Sequence, residues 1–555
     1  MIAAARRRLV LAAAVLLLAW SAVLLATGGV AIDTAWGLVS SRAAARPFAA
    51  GVLLAAAYLA RWRRFWRADL VHLGTASAAP AAGVAAGAFA LVCGLGLGTW
   101  IAGGPDASGY VSQASMLARG ELTRPAPQWA LEGAWRNAEW SGAPVGYVPS
   151  VHAGALAPTY PPGLPLLMTL FQVIGGAGAV FWVVPLAGAV AAWATWRLGA
   201  RLAGPAAGAV GAVLLVSSPP FVDMVTQPMS DVPAAAFWAV ALLAATTGRP
   251  LGAGLAAAVA VLVRPNLVPL AVIPAALLLI EPGARVRRLA VFAAAASPAG
   301  LAIAALNTFY FGSPLLSGYG TLEHLYDADR IAPNLLRYGA WILMTQTPLA
   351  LAGLAAPLAA ARAGPERTRV WLIAVAWPIA TLVLYLPYLT FDEWAYLRFL
   401  LPGYVGLFAG AGCLAARWRA PAIAAAAAVA LYGLVFAADR GAFDNYEEHR
   451  RFRRAVDFVA ALPGDPVLLS NGHSGTLHHY TGRDILRFEL LDAHAMDAAV
   501  AHLAERGRDV YFVGDPFEFE QIDELLRTSR TMTPLARAPR FDLGGVVVYA
   551  LTAGR

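Results

Sequence analysis

The sequence predicts a polytopic α-helical membrane protein of about thirteen transmembrane helices, ending in a small α/β soluble domain. Three observations carry this. Of 555 residues, 59% are apolar and only 13% are charged, where a soluble chain carries roughly a quarter; a single soluble core cannot bury that much apolar surface. Several windows of close to twenty residues hold no charge, enough to cross a hydrocarbon layer of roughly 30 Å. Finally, 18 of the 33 acidic residues lie in the tail that begins at Asp439, where long apolar runs give way to short alternating ones. Disordered, collagen-like and disulfide-framework classes are excluded by the same composition.

Apolar runs between arginine-rich breaks give the spans 9–26, 47–60, 77–101, 178–198, 204–221, 232–247, 251–263, 266–280, 289–306, 335–360, 370–390, 397–416 and 420–437. The pair 251–263 and 266–280 is short for full crossings and is divided by Arg264-Pro265-Asn266. The first run follows Arg6-Arg7-Arg8 but shows no clear cleavage site, so it reads as a retained helix. Three segments result: an N-terminal transmembrane hairpin (1–76), a transmembrane core (77–438) with an outer loop at 102–158, and an extracytoplasmic α/β domain (439–555).

Arginine placement sets the orientation. With the N-terminus in the cytoplasm, alternate short breaks from Arg6 to Arg419 hold 18 arginines, while the much longer opposite loops hold about eight. Thirteen spans from an inside start leave the tail outside. The basic isoelectric point near 9.6 is therefore a topology signal, and no nucleic-acid partner is expected. All the basic residues counted are arginine, which with the high alanine content points to a GC-rich, bacterial genome. Cys93 and Cys413 both sit in apolar runs and make no disulfide framework.

The outer loop is rich in Trp (Trp129, Trp135, Trp140) and Pro, which suits short helices lying at the bilayer interface. In the tail, Glu447–Leu462, Ala493–Arg506 and Phe517–Arg527 read as helices, and Pro466–Ser470, Asp509–Gly514 and Val546–Leu551 as strands.

Polar residues at span ends mark candidate chemistry, because a carboxylate in hydrocarbon costs several kcal/mol. Asp106, in Gly103-Gly104-Pro105-Asp106-Ala107-Ser108-Gly109-Tyr110, follows the third span; it suits a base that takes a proton from an attacking hydroxyl, or a helix cap. Asp231, after Ser230, opens the sixth span on the same expected face, with the same two readings. Ala157–Pro165 is a rigid Pro-rich turn whose Tyr160, with nearby His152, can touch sugar or phosphate. The last cluster joins the run Asn307–Pro314, followed by Gly318-Tyr319, to the run Asp392–Pro402 around Arg398. Arg398 and Arg264 suit bidentate capture of a lipid phosphate, or plain snorkelling to the interface. His473, His478 and His479 lie within seven residues and could bind zinc, yet no Cys is near and no common ligand spacing appears; a loop over the acceptor entrance or a folded surface fits as well.

In this order and on one expected face, the clusters resemble the GT-C superfamily of membrane glycosyltransferases, above all the bacterial branch related to protein O-mannosyltransferases and lipid A aminoarabinose transferases. The resemblance runs over about 77–440. Asp106 matches the catalytic Asp of the first long extracytoplasmic loop, Tyr160–Pro165 the Pro-rich segment before the next span, and Pro219-Pro220 with Ser230-Asp231 the second outer loop and its acidic residue. Arg264-Pro265, the NTFYFGSP run and the WAYLRFLLP run resemble segments that recur in bacterial members. The resemblance implies a sugar donor linked to polyprenyl phosphate, a lipid, glycan or protein acceptor, and inversion at the anomeric carbon. Asp106 is then the base, Asp231 a second catalytic group, and Tyr110, His152, Tyr160, Arg264, Tyr319 and Arg398 the substrate contacts. Asp106 is followed by Ala107, so the family's usual acidic doublet is absent, which leaves use of a divalent metal open. A transporter or lipid-linked-sugar flippase is the competing class, with an inactive relative beside it. The long outer loop, the outer domain and the scarcity of charge at mid-span favour chemistry at one face.

Overall fold

The computed structural model describes every residue except 1, 28–29, 35–36, 42, 67, 70–77, 281–282, 360–363, 449, 519–521, 537–540 and 552–555. The chain forms two compact units: Met1–Gly98, Val184–Ala299 and Tyr326–Asn445 in one, Thr99–Val183, Gly300–Leu325 and Tyr446–Arg555 in the other. The outer loop and the tail thus share a unit, a grouping that differs from the linear division at 76 and 438.

Among the described residues, six helices are long and apolar enough to cross a membrane: Ala177–Ala203, Arg285–Phe311, Ala328–Ala359, Pro365–Tyr385, Trp394–Trp418 and Ala420–Asp439. A seventh is counted if Pro205–Val216 and Pro219–Val225, bent by 66° at Ser217-Ser218, make one span; consecutive prolines at 219 and 220 explain the bend. The protein is a multi-pass membrane protein, but its thirteen apolar runs are not thirteen full-length helices. Five apolar helices have only 10–17 residues, and at 1.5 Å per residue they reach roughly 15–25 Å. The run 266–280 divides again, into a 3₁₀ turn Pro265–Ala271 and a helix Val272–Ile280.

The first unit is helical. At its N-terminus Ile2–Thr27 and Ala45–Trp62 pack together across the hairpin β1 (Val30–Thr34) and β2 (Gly37–Ser41). Buried Asp69 ties the pair, accepting from Tyr58 Oη at 2.6 Å and Arg7 Nη2 at 2.8 Å. The span Trp394–Trp418 is 89% buried, against 11% for Arg285–Phe311, so the former is central and the latter peripheral. Small residues permit this: a Cβ on Gly406 would stand 2.1 Å from Ile373 O, and one on Gly412 would stand 2.0 Å from Ala207 O. Asp231–Thr246 and Pro250–Val263 form a helical hairpin, turned at Gly248 with φ 65°. Helices of 16 and 14 residues reach nearly the same height, so the start of one meets the end of the other.

The second unit carries two sheets. The smaller pairs β3 (Arg124–Pro125), β5 (Ala155–Pro158) and β4 (Tyr147–Pro149) antiparallel, in that order. The larger is built from β6 (Val467–Leu469), β7 (Asp484–Leu486), β8 (Val510–Gly514), β9 (Phe541–Asp542) and β10 (Val547–Ala550), in the order β7-β6-β8-β10-β9. β6, β7 and β8 run parallel, linked through the helices Ser474–Thr481 and Ala493–Glu505. The sequence reading missed Ser474–Thr481, β7 and β9, and its helix Phe517–Arg527 falls partly outside the described residues; Asp523–Thr528 is helical. Trp129, expected at a bilayer interface, is buried instead in the core of the large sheet, and its Nε1 donates to Asp484 Oδ2 at 3.0 Å. An indole with one satisfied donor suits a core as well as an interface.

Candidate active site

In the second unit, Asp106 stands in the first turn of the helix Pro105–Ala118. The residue at the cap is Gly104, whose φ of 75° an L side chain resists, and Pro105 takes the first helical position. Asp106 is therefore not the cap, although a carboxylate in the first turn still gains from the helix dipole. It accepts a hydrogen bond from Tyr160 Oη at 2.9 Å. The buried Tyr160 ring packs against Tyr110 at 4.7 Å and Tyr319 at 5.8 Å. Room for it comes from Gly109, where a Cβ would lie 2.1 Å from Tyr160 Cε2. Asp106, Tyr110, Tyr160 and Tyr319 thus form one cluster. His152 is exposed, and its ring lies on Phe309 at 4.6 Å rather than on the tyrosines.

In the first unit, the helical hairpin brings Asp231 and Arg264 together. Arg264 Nη2 donates to Asp231 Oδ1 at 2.7 Å, Nε to Ser230 Oγ at 3.0 Å and Nη1 to Tyr385 Oη at 3.1 Å. The guanidinium also faces the Phe399 ring at 5.1 Å. Arg264 is therefore not an interfacial snorkel. Asp231 is buried, and its Oδ2 has no hydrogen-bond partner. Arg398 packs on Tyr396 and Phe399. Sequence reasoning missed Asn266, which donates to Tyr385 Oη at 3.0 Å, and Tyr385, stacked on Phe399 at 5.0 Å. It also missed Asp223, which takes a bond from Gln227 Nε2 at 2.9 Å and feels the charges of Arg398 and Asp231. A signal for Asp223 was present: it is a carboxylate inside an apolar stretch, two residues past the end assigned to the span 204–221.

The tail histidines separate. His473 Nε2 lies 2.9 Å from Asp515 Oδ1, His478 Nδ1 lies 2.8 Å from the Arg483 carbonyl, and the His479 ring packs edge-on to Tyr480. Burial, and then Arg124, pull the His479 imidazole down to about 4. Burial pushes the Glu518 carboxyl up, against bonds from the Gly472 and Asp515 N–H groups. Among the described residues no three His, Cys, Asp or Glu side chains are grouped to hold a metal ion. The donor set around Asp106, with Ala107 beside it, does not fit one.

A match to a known family supports the resemblance read from the sequence. Residues 159–310 match the family described as dolichyl-phosphate-mannose-protein mannosyltransferase. Solved structures with similarity include ArnT from Cupriavidus metallidurans bound to undecaprenyl phosphate (14% identity, 86% of this chain and 99% of that chain, TM-score 0.49). The oligosaccharyltransferase of Archaeoglobus fulgidus matches at 14% identity over 82% of this chain and 72% of that chain, TM-score 0.48. A mutant of the mycobacterial arabinofuranosyltransferase AftD matches at 16% over 85% of this chain and 41% of that chain, TM-score 0.47. No curated protein matches the sequence.

Proposed function

We propose that this chain is a glycosyltransferase that moves a sugar from a polyprenyl-phosphate donor to an acceptor at the outer face of the bacterial cytoplasmic membrane, inverting the anomeric configuration. The observation that carries the reading is the content of the stretch similar to the mannosyltransferase family. Residues 159–310 hold both Tyr160, the partner of Asp106, and the Asp231–Arg264 pair. Arginine asymmetry supports a cytoplasmic N-terminus and an extracytoplasmic tail.

In this reading Asp106 accepts the proton of the acceptor hydroxyl as oxygen attacks the anomeric carbon. Tyr160 orients that carboxylate, and Tyr110 and Tyr319 offer aromatic faces to a sugar. The bond to the polyprenyl phosphate breaks, and the charge on the departing phosphate is met by Arg264 and Arg398. Asp231 holds Arg264 in place and orients the acceptor; His152 contributes a substrate contact. No step is routed through a metal. The acceptor is a lipid, glycan or protein of the envelope.

Asp106→Asn keeps the Tyr160 contact but removes the base. Transfer from polyprenyl-phosphate mannose to envelope fractions should vanish, with normal expression and membrane insertion. Near-normal transfer by this variant refutes the assignment, and movement of the lipid carrier with no new glycosidic bond supports a flippase instead.

A further inference from the structure

We propose that the tail helix Ser474–Thr481 is a positioning element that holds the turn bearing Asp106; the functional half of this inference rests on Asp106 being the base. The turn has little stiffness of its own, because Gly103-Gly104 precedes Pro105 and Gly104 sits at positive φ. Its position is set by what grips it on either side, and one helix grips both.

Upstream, Thr476 Oγ1 donates to the Ala102 carbonyl at 2.7 Å, and Tyr480 Oη accepts from the Ala102 N–H at 2.9 Å. Both backbone polar groups of buried Ala102, four residues before Asp106, are thereby satisfied by tail side chains. Downstream, Gly475 lies against Ser108, where a Cβ would stand 2.3 Å from Ser108 Oγ and 2.6 Å from Val145 O. Ser474 Oγ accepts from the Val145 N–H at 3.1 Å.

The helix is in turn fixed to the large sheet just beyond β6 and β8. His473, fully buried, pairs with Asp515 at 2.9 Å and packs on Phe452 at 4.6 Å. Glu518 accepts from the Gly472 N–H at 3.0 Å and the Asp515 N–H at 2.7 Å. A rigid α/β core thus ends in a short arm that brackets the flexible turn. A misplacement of about 1 Å in a reacting group can cost roughly a hundredfold in rate, so such an arm matters to the base and not to donor binding.

The test uses the full-length protein and two readouts. Tyr480→Phe and Thr476→Val remove the two Ala102 partners with little change of shape. In amide hydrogen exchange, peptides covering 99–110 should lose protection by roughly tenfold or more, since one bond is worth about that factor, while peptides covering β6 and β8 keep theirs. In transfer from polyprenyl-phosphate mannose, kcat should fall roughly tenfold with the donor KM unchanged, and Thr476→Ser should recover most of it. Unchanged exchange at 99–110 overturns the proposal. So does loosened exchange with wild-type kcat when Asp106→Asn is inactive. Loss of protection across the whole tail also overturns it, because the hydroxyls would then serve general stability. Active Asp106→Asn with loosened exchange instead overturns the reading of Asp106 as base and leaves the arm standing as a structural clamp.

Discussion

Arg264→Met tests whether the buried pair belongs to the chemistry or only to the fold. Arg264 makes three side-chain hydrogen bonds, at 2.7, 3.0 and 3.1 Å. The Asp231 side chain is 0% exposed, and its Oδ2 has no partner, so among the described residues Arg264 is what compensates the carboxylate through Oδ1. Removing the guanidinium strands a buried charge, which costs about 3–5 kcal/mol. Replacing both partners by apolar residues of similar volume, Arg264→Met with Asp231→Leu, should be close to neutral for stability. Denaturation in mixed detergent micelles reads this arm of the experiment. Transfer behaves differently if Arg264 meets the departing phosphate: losing such a contact costs roughly a hundredfold to a thousandfold in kcat, and the apolar pair cannot restore it. The expected pattern is an unstable, inactive single variant and a stable, inactive double variant. A double variant that transfers sugar within about threefold of the wild type would show the pair to be structural. A single variant of unchanged stability would refute the account of the buried charge itself.

Tyr160→Phe leaves the aromatic cluster but deletes the bond to Asp106; a loss of about 1–1.5 kcal/mol should appear as a roughly tenfold lower kcat in a folded protein. Gly109→Ala pushes a methyl to 2.1 Å from the Tyr160 ring, so kcat should fall at least as far as in Tyr160→Phe. His479 is held neutral in the folded state, down at about 4 against an ordinary 6.5. Its contribution is therefore complete above pH 6.5 and is lost as pH falls from 6.5 toward 4. The loss amounts to no more than about 3 kcal/mol, and His479→Gln should flatten that acid limb in thermal melts. Trp129→Ala should destabilise the second unit by about 3–5 kcal/mol through the cavity it leaves, seen as earlier proteolysis of the tail.

What the sequence made legible, and what it hid, follows from the range of each physical signal. Asp106 stood out because glycines, a proline and a carboxylate follow one another at the end of an apolar run, and all of that is local. The exclusion of a soluble fold rests on a different kind of signal, since composition sums over the whole chain. Span counting did worse: the shortness of 251–263 was legible, but the run 77–101 reads as a full span while its apolar helix covers only Pro80–Gly96. The partner of Arg264 was hidden for a related reason. A lone arginine at a span end looks the same whether it snorkels or pairs; only the near-equal lengths of Asp231–Thr246 and Pro250–Val263, joined by a tight turn at Gly248, bring its guanidinium back to Asp231. Those lengths can be read in advance, so the pairing was within reach of the sequence. The grip of Thr476 and Tyr480 on Ala102 was not. It spans more than 370 positions, uses residue types that suit any surface, and leaves no periodicity behind. Trp129 shows the same limit from the other side, because an indole with one donor is equally at home in a core and at a bilayer interface. Long-range contacts made by amphipathic side chains are where a single sequence is least informative, and here they are the ones that surround the Asp106 turn.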